Sequence, residues 1–91
     1  MPDITTAATF TKDDTGYEFL RSTHRNRAIL FAGSSVGSSI SLRYTDDAGT
    51  DREVENGSIT TLPKSLLIEL NKDLKIVTTG SPNFNVTILQ Q

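Results

Sequence analysis

Residues 39–45 read Ser39-Ile40-Ser41-Leu42-Arg43-Tyr44-Thr45, and this stretch decides the fold class. Its apolar residues alternate with polar ones, so in a β-strand they would form one buried face and one solvated face. The chain continues as Asp46-Asp47-Ala48-Gly49-Thr50. Aspartate side chains can bond the backbone ahead of them and glycine can adopt positive φ, so these residues predict a hairpin loop. We therefore expect an antiparallel return over residues 50–55.

Short alternating segments of the same kind occupy the rest of the second half. Asn56-Gly57 is a strong signal for a two-residue hairpin turn and predicts another strand over residues 58–62. Further strands are predicted at residues 65–70, 74–79 and 84–89. In the first of these Leu67 would point outward. A helical turn over residues 63–70 is the competing interpretation, since a proline suits the first position of a helix.

The first third of the chain is less regular. Residues 4–10 predict an edge strand rich in threonine, and residues 17–21 predict a short strand. Residues 28–32 are apolar on both faces, which favours a central strand covered on two sides. Residues 33–39 hold two glycines and four serines and predict a flexible loop. The predicted fold class is all-β, an antiparallel β-sandwich or jelly-roll-like domain of about eight short strands.

The composition bounds what this domain can do. Ninety-one residues make one domain over residues 1–91, in which most apolar residues are committed to a small core. The absence of cysteine removes disulfides and thiolate chemistry. A small core without disulfides favours association with a partner as a source of additional stability.

Charge and hydropathy exclude two classes of partner. Nine Lys plus Arg against eleven Asp plus Glu leave no basic excess, so we expect no nucleic acid. The longest apolar run is residues 28–32, far short of the roughly 20 residues of a membrane-spanning helix, so we expect no membrane partner. Residues 1–6 show no cationic region followed by an apolar one, so a secretory signal is not expected.

A basic segment around His24 is the first candidate site. A general base would need this histidine held by a carboxylate and aimed at a nucleophile. Residues 22–27 are so polar that an exposed loop is the better interpretation. Arg21, Arg25 and Arg27 belong to this segment. We therefore predict no catalytic residue. An enzyme is the least favoured function, behind a structural protein and a ligand-binding module.

An acidic hairpin is the second candidate site, because five of the eleven acids fall within residues 46–55. Hard oxygen ligands raise the possibility of calcium, but the spacing lacks the EF-hand pattern closed by a bidentate glutamate. In a strand, Asp51, Glu53 and Glu55 would line one solvated face. A solvated hairpin is the preferred interpretation, and we predict no cofactor and no metal.

The two charged segments suggest a contact between subunits. The glycine-rich loop at residues 33–39 has no following lysine or helix, so it does not predict a phosphate site. The basic segment and the acidic hairpin carry opposite charge in a chain whose net charge is only -2. We hypothesise that they are complementary surfaces that meet between copies of the chain.

A family resemblance is carried by residues 32–50. There a glycine-rich loop enters an alternating strand that ends in Leu42-Arg43-Tyr44, followed by an Asp/Gly hairpin and Thr50. This arrangement resembles small virion proteins of tailed bacteriophages, and residues 74–80 and 84–89 are similar to the closing part of such chains. The resemblance covers about half of the chain. It implies a non-enzymatic β-sandwich or jelly-roll subunit, displayed on a capsid or built into a tail as a symmetric oligomer.

The expected function is thus that of a structural protein in a virion, made in a host cytoplasm. It would form a homo-oligomer, a trimer or dimer, and adhere to a larger assembly such as a capsid or tail. The alternative is a small module that binds glycan or calcium through the hairpin at residues 46–55. The predicted interface residues are Phe10, Arg25, Arg27, Val36, Asp46, Asp47 and Leu67.

Overall fold

Alternating sequence produces eight strands in the computed structural model, which describes residues 3–23 and 27–90, the last of these by its backbone only. The strands are β1 (Asp3–Ile4), β2 (Thr9–Thr11), β3 (Arg27–Ser35), β4 (Ser39–Thr45), β5 (Asp51–Ile59), β6 (Lys64–Ile68), β7 (Leu74–Thr79) and β8 (Asn83–Gln90). One short 3₁₀ turn, Glu18–Leu20, lies between β2 and β3.

The strands form two antiparallel sheets of four. The first sheet has the order β1-β8-β3-β6 and the second has the order β2-β7-β4-β5. Successive strands cross from one sheet to the other, except for the β4–β5 hairpin. This is the strand order of a jelly roll, in which two Greek keys close on each other. The predicted all-β sandwich is confirmed.

The core lies between the inner faces of the two sheets. Phe31 of β3 and Phe84 of β8 are both buried, with ring centroids 6.1 Å apart. Leu42 and Ile76 face them from the second sheet and are fully buried. Each such side chain contributes about 1.5–3 kcal/mol by leaving water. Every strand except β2 supplies at least one buried side chain, so the sheets cannot separate without exposing the core.

Four predicted strands and one predicted loop are confirmed. Residues 39–45 form β4, with Ile40 and Leu42 buried, and the backbone of Asp46 closes the following turn on Thr50. The strands predicted at residues 65–70, 74–79 and 84–89 are observed as β6, β7 and β8. Residues 64–68 are thus a strand and not a helical turn, and Leu67 points outward as predicted.

The hairpin predicted at Asn56-Gly57 is wrong, because β5 continues through it. Ser41 pairs with Ser58 and Arg43 pairs with Glu53, so Leu42 alone stands opposite residues 54–57. Asn56 has φ 61°, which serves this bulge instead of a turn. Gly57 is required there, since a Cβ atom would lie 2.6 Å from the carbonyl oxygen of Leu42.

The first third also differs from the sequence-based expectation. The edge strand predicted at residues 4–10 is split, because β1 pairs with β8 in the first sheet and β2 pairs with β7 in the second. Residues 17–21 contain the 3₁₀ turn and not a strand. The central strand predicted at residues 28–32 extends to Ser35, which shortens the predicted loop to residues 36–38.

Candidate interaction surfaces

The outer face of the second sheet is covered by paired charges. Arg43 of β4 contacts Asp51 at 2.8 Å and Glu53 at 3.7 Å, and Lys75 of β7 contacts Asp51 at 3.1 Å. Hydroxyls extend the network, since Ser41 donates a hydrogen bond to Glu53 at 2.7 Å. We call this the ion-paired face. Its charges are neutralised locally, so it is suited to contact with water.

The outer face of the first sheet is different in character. The register of β3 with β6 and β8 places Ala28, Leu30 and Ala32 on this side, beside Leu67 of β6 and Leu89 of β8. The intervening outward residues are Ser65, Asn85 and Thr87, and none of the outward residues of these three strands is charged. We call this the apolar face.

The two large apolar side chains that are most exposed in the described chain both lie on the apolar face. Leu67 is 64% exposed and Leu89 is 56% exposed. Leu67 pairs with Ala28, and Leu89 directly precedes the β8 partner of Ala28, so β3 lies between their strands. Leu67 was predicted as an interface residue, whereas Leu89 was missed. The sequence of β8 indicates the outward position of Leu89, because Leu89 follows Ile88 and is out of phase with the buried Phe84 and Val86.

Arg27 corrects the prediction of an exposed basic loop. It begins β3, its side chain is fully buried, and its guanidinium donates hydrogen bonds to four backbone carbonyls. Nη1 reaches Phe19 and Arg21, each at 3.1 Å, while Nη2 reaches Leu70 at 2.8 Å and Lys72 at 3.2 Å. Burial lowers the pKa of Arg27, against the opposing effect of Asp73.

Arg27 is therefore an internal anchor and is not available to an interface. It ties the 3₁₀ turn to the connection between β6 and β7. His24 and Arg25 lie outside the described residues. Both were predicted as part of the basic segment.

Phe10 and Val36, two of the predicted interface residues, pack against the core of the domain. Both are half-buried against the core. The ring of Phe10 stacks on the ring of Tyr17, with centroids 5.3 Å apart and planes inclined by 30°. These contacts leave each side chain with only a partial surface to offer a partner.

Tyr17 brings an unpartnered hydroxyl into this apolar cluster. Its side chain is buried, and the hydroxyl makes no hydrogen bond in the structure. Burial raises the pKa of Tyr17 to about 12, with smaller contributions from the charges of Asp14 and Asp3. The phenol is thus held in its neutral form across the neutral pH range.

Four of the five acids of the acidic hairpin are paired with cations within the chain. Asp46 accepts hydrogen bonds from the amides of Ala48 at 3.0 Å and Thr50 at 2.9 Å, and from Arg52 at 2.7 Å. Asp47 is exposed and pairs with Lys72. The Arg52 bond, and then the Thr50 amide, lower the pKa of Asp46.

Asp51 has a similarly lowered pKa, because it accepts hydrogen bonds first from Arg43 and then from Lys75. Asp46 and Asp47 thus have cationic partners inside one chain and Arg27 is buried, while the predicted charge complementarity between copies of the chain stays a prediction. Within the part of the chain that the structure describes, no three or more Asp, Glu or His side chains lie together as a possible metal site.

A cleft of about 550 Å³ lies beside β7 and the connection that precedes it. Three lysines line it, and each is matched by a carboxylate: Lys12 by Asp13 and Asp73, Lys72 by Asp47, and Lys75 by Asp51. This cleft accordingly presents paired charges.

A smaller groove, of about 360 Å³, lies between the edge strands β5 and β6. We call it the β5/β6 groove. Its lining combines the apolar side chains of Val54, Leu67, Ile68 and Leu70 with Tyr44, Asn56 and two glutamates, Glu55 and Glu69. The alternation of residues along the chain does not reveal this groove, because β5 and β6 face each other only through the sandwich topology.

Comparisons of the chain with family models, with curated proteins and with solved structures found no match. Among residues 3–23 and 27–90, no helix is long and apolar enough to cross a membrane. A function must therefore be inferred from the ion-paired face, the apolar face and the β5/β6 groove.

Proposed function

We propose that this protein is a non-enzymatic structural subunit that associates with copies of itself through the apolar face. The observation that carries the proposal is the position of Leu67 and Leu89, which are the exposed large apolar residues of the described chain and share one sheet face. The opposite face is ion-paired. Apolar patches on otherwise polar proteins commonly mark contact surfaces.

The chemistry of the apolar face favours a second copy as its occupant. A two-fold contact places a surface against itself, so a charge near the symmetry axis would approach its own copy. The outward residues of β3, β6 and β8 carry no charge, and the outward charge of the fourth strand, Asp3, lies at the edge of the sheet, so a two-fold pairing centred on β3, β6 and β8 avoids like-charge repulsion. The ion-paired face would instead have to bury its carboxylates and cations, at a large desolvation cost.

The size of the face is adequate for reversible association. Four strands about 4.8 Å apart, with up to eight residues rising about 3.3 Å each, cover roughly 19 by 26 Å. The projected area is about 500 Å², and projecting side chains enlarge it toward the roughly 800 Å² that each partner contributes to a standard interface. We therefore expect a dimer that dissociates on dilution.

A virion of a tailed bacteriophage is the assembly that the sequence resemblance suggests for this subunit. The jelly-roll order is compatible with that role, but lectins and cupins share it, so the fold carries no functional weight by itself. The glycan or calcium alternative has less support, because Asp46, Asp47 and Asp51 are already paired with cations. Mass spectrometry of purified phage particles that encode the chain tests the virion role.

Sedimentation analysis over protein concentrations from about 1 to 500 µM tests the self-association. We expect reversible dimers for the wild-type chain and at least about tenfold weaker association for the double variant Leu67→Ser, Leu89→Ser. The matched control is Val77→Ser, which removes a half-exposed apolar residue from the ion-paired face. A wild-type chain that stays monomeric throughout, or a double variant that associates equally well, contradicts the proposal.

A further inference from the structure

The two long edge strands of the sandwich meet at the β5/β6 groove. On the opposite side, the edge strands β1 and β2 have only two and three residues, which leaves little backbone for another strand to pair with. On the groove side, β5 has nine residues and β6 has five. An exposed edge strand offers unpaired backbone donors and acceptors, and natural proteins protect such edges with charge, bulges or short length.

β5 has two of these protections, whereas the charge of β6 is confined to its first residue, Lys64. β5 carries charged side chains at Asp51, Arg52, Glu53 and Glu55 and contains the bulge at residues 54–57. β6 is regular in its pairing with β3, and residues 65–68 carry no charge. Its exposed Leu67 lies at the margin of the groove. The free edge of β6 is therefore open to a further strand.

The charge of the groove indicates the chemistry of that strand. Glu55 and Glu69 are both exposed and, among the described residues, neither makes a hydrogen bond or an ion pair. By contrast, Asp46, Asp47, Asp51 and Glu53 all have cationic partners. No lysine or arginine lines the groove. Two unpaired carboxylates beside an apolar floor are complementary to an occupant with both apolar and cationic side chains.

We propose that the β5/β6 groove binds an extended segment of a partner protein in which apolar residues alternate with Lys or Arg. The segment pairs with the free edge of β6 through its backbone and extends the first sheet by one strand. Side chains on one side of the segment enter the groove against Val54 and Leu70. Cationic side chains of the same segment reach Glu55 and Glu69 at its rim. This contact is separate from the apolar face, with which it shares only Leu67.

Selection of binders from a library of random decapeptides, displayed singly and presented to the full chain, tests this inference. We expect the selected peptides to alternate apolar and basic residues. Synthetic copies should bind in fluorescence anisotropy, with an affinity that decreases as salt is raised. The amide resonances that shift on binding should be those of β6 and of residues 54–57.

The double variant Glu55→Gln, Glu69→Gln removes the rim charge and should bind the selected peptides at least about tenfold more weakly. Glu18→Gln is the matched control, because Glu18 is also exposed and lies outside the groove. Leu89→Ser in the monomeric range separates this contact from self-association, since Leu89 lies on the apolar face and does not line the groove, so groove binding should survive its loss. The inference is overturned if no peptide is selected, if the selected peptides lack basic residues, or if the glutamate variant binds them as well as wild type.

Discussion

At the residue scale, Arg27 has the largest predicted effect on stability. Replacing it with methionine leaves the carbonyls of Phe19, Arg21, Leu70 and Lys72 without their donor, the first in a buried contact and the other three in partly buried ones. Each unpaired buried polar group costs about 1–3 kcal/mol. We expect Arg27→Met to lower the free energy of unfolding by about 3 kcal/mol or more, as measured by urea denaturation.

The specificity of that effect is checked by a second arginine in the same region. Arg21 is partly exposed and contacts Asp13 at 3.4 Å. An exposed ion pair of this kind is worth at most about 1 kcal/mol, so Arg21→Met should change stability little. Arg27→Lys should recover part of the loss, because an ammonium group cannot reach four carbonyls with the fixed fork of a guanidinium. Equal losses for Arg21→Met and Arg27→Met would refute the anchoring role.

Tyr17 gives a prediction about alkaline pH at the same scale. Its pKa in the folded protein is about 12, above the ordinary value of 10.0. The unfolded chain therefore releases the phenolic proton first, so this contribution to stability is complete below pH 10 and is lost as the pH rises toward 12. Tyr17→Phe should weaken the decline of stability over that window.

The same substitution should be tolerated at neutral pH. It deletes a buried hydroxyl that makes no hydrogen bond, so the melting temperature should be unchanged or higher. Thermal unfolding of both proteins at neutral and alkaline pH, with tyrosinate absorbance to follow the titration, measures both effects. A lower melting temperature for Tyr17→Phe at neutral pH would show that the hydroxyl has a stabilising partner.

At the element scale, the bulge in β5 depends on Gly57. A Cβ atom there would lie 2.6 Å from the carbonyl oxygen of Leu42 and 2.7 Å from that of Val54, and neither backbone atom can move freely. We expect Gly57→Ala to destabilise the fold by about 1–3 kcal/mol, in the range of overpacked cores. Ser58→Ala, at the next and exposed position, should be nearly neutral in the same urea titration. A neutral Gly57→Ala would mean that β5 does not follow this path.

The same element shows what local sequence does and does not specify. β4 was predictable because Ile40, Leu42 and Tyr44 alternate without interruption. The path of β5 was not, because the positive φ that Asn56 supplies serves a hairpin turn and a bulge equally well. Arg27 was misplaced for a related reason, since a charged residue signals exposure unless its carbonyl partners, distant in sequence, are known.

At the scale of the whole molecule, the candidate surfaces arise from pairings between strands that are far apart in the chain. Leu67 was recognised as outward-facing from its own strand. The apolar face as a unit was not, because it exists only when β3 lies between β6 and β8, as in the pairing of Leu30 with both Ser65 and Thr87. The β5/β6 groove likewise joins edges of two different sheets. The alternation of apolar and polar residues indicates which side of one strand is buried. The order of the strands determines which residues share a face of the protein.

The difference between the two outer faces yields a prediction for the intact protein. Thr87 lies near the middle of the apolar face, so Thr87→Lys would place an ammonium group in the proposed contact. Burying that charge is costly, and we expect dimerisation to weaken at least about tenfold. Thr9→Lys adds the same charge to the outer side of the second sheet, where Thr9 pairs with Val77, and should leave dimerisation unchanged. Sulfate should strengthen the wild-type dimer, as expected for apolar burial. Sedimentation of the three proteins measures these effects, and equal weakening by both lysines would show that net charge, not the apolar face, controls association.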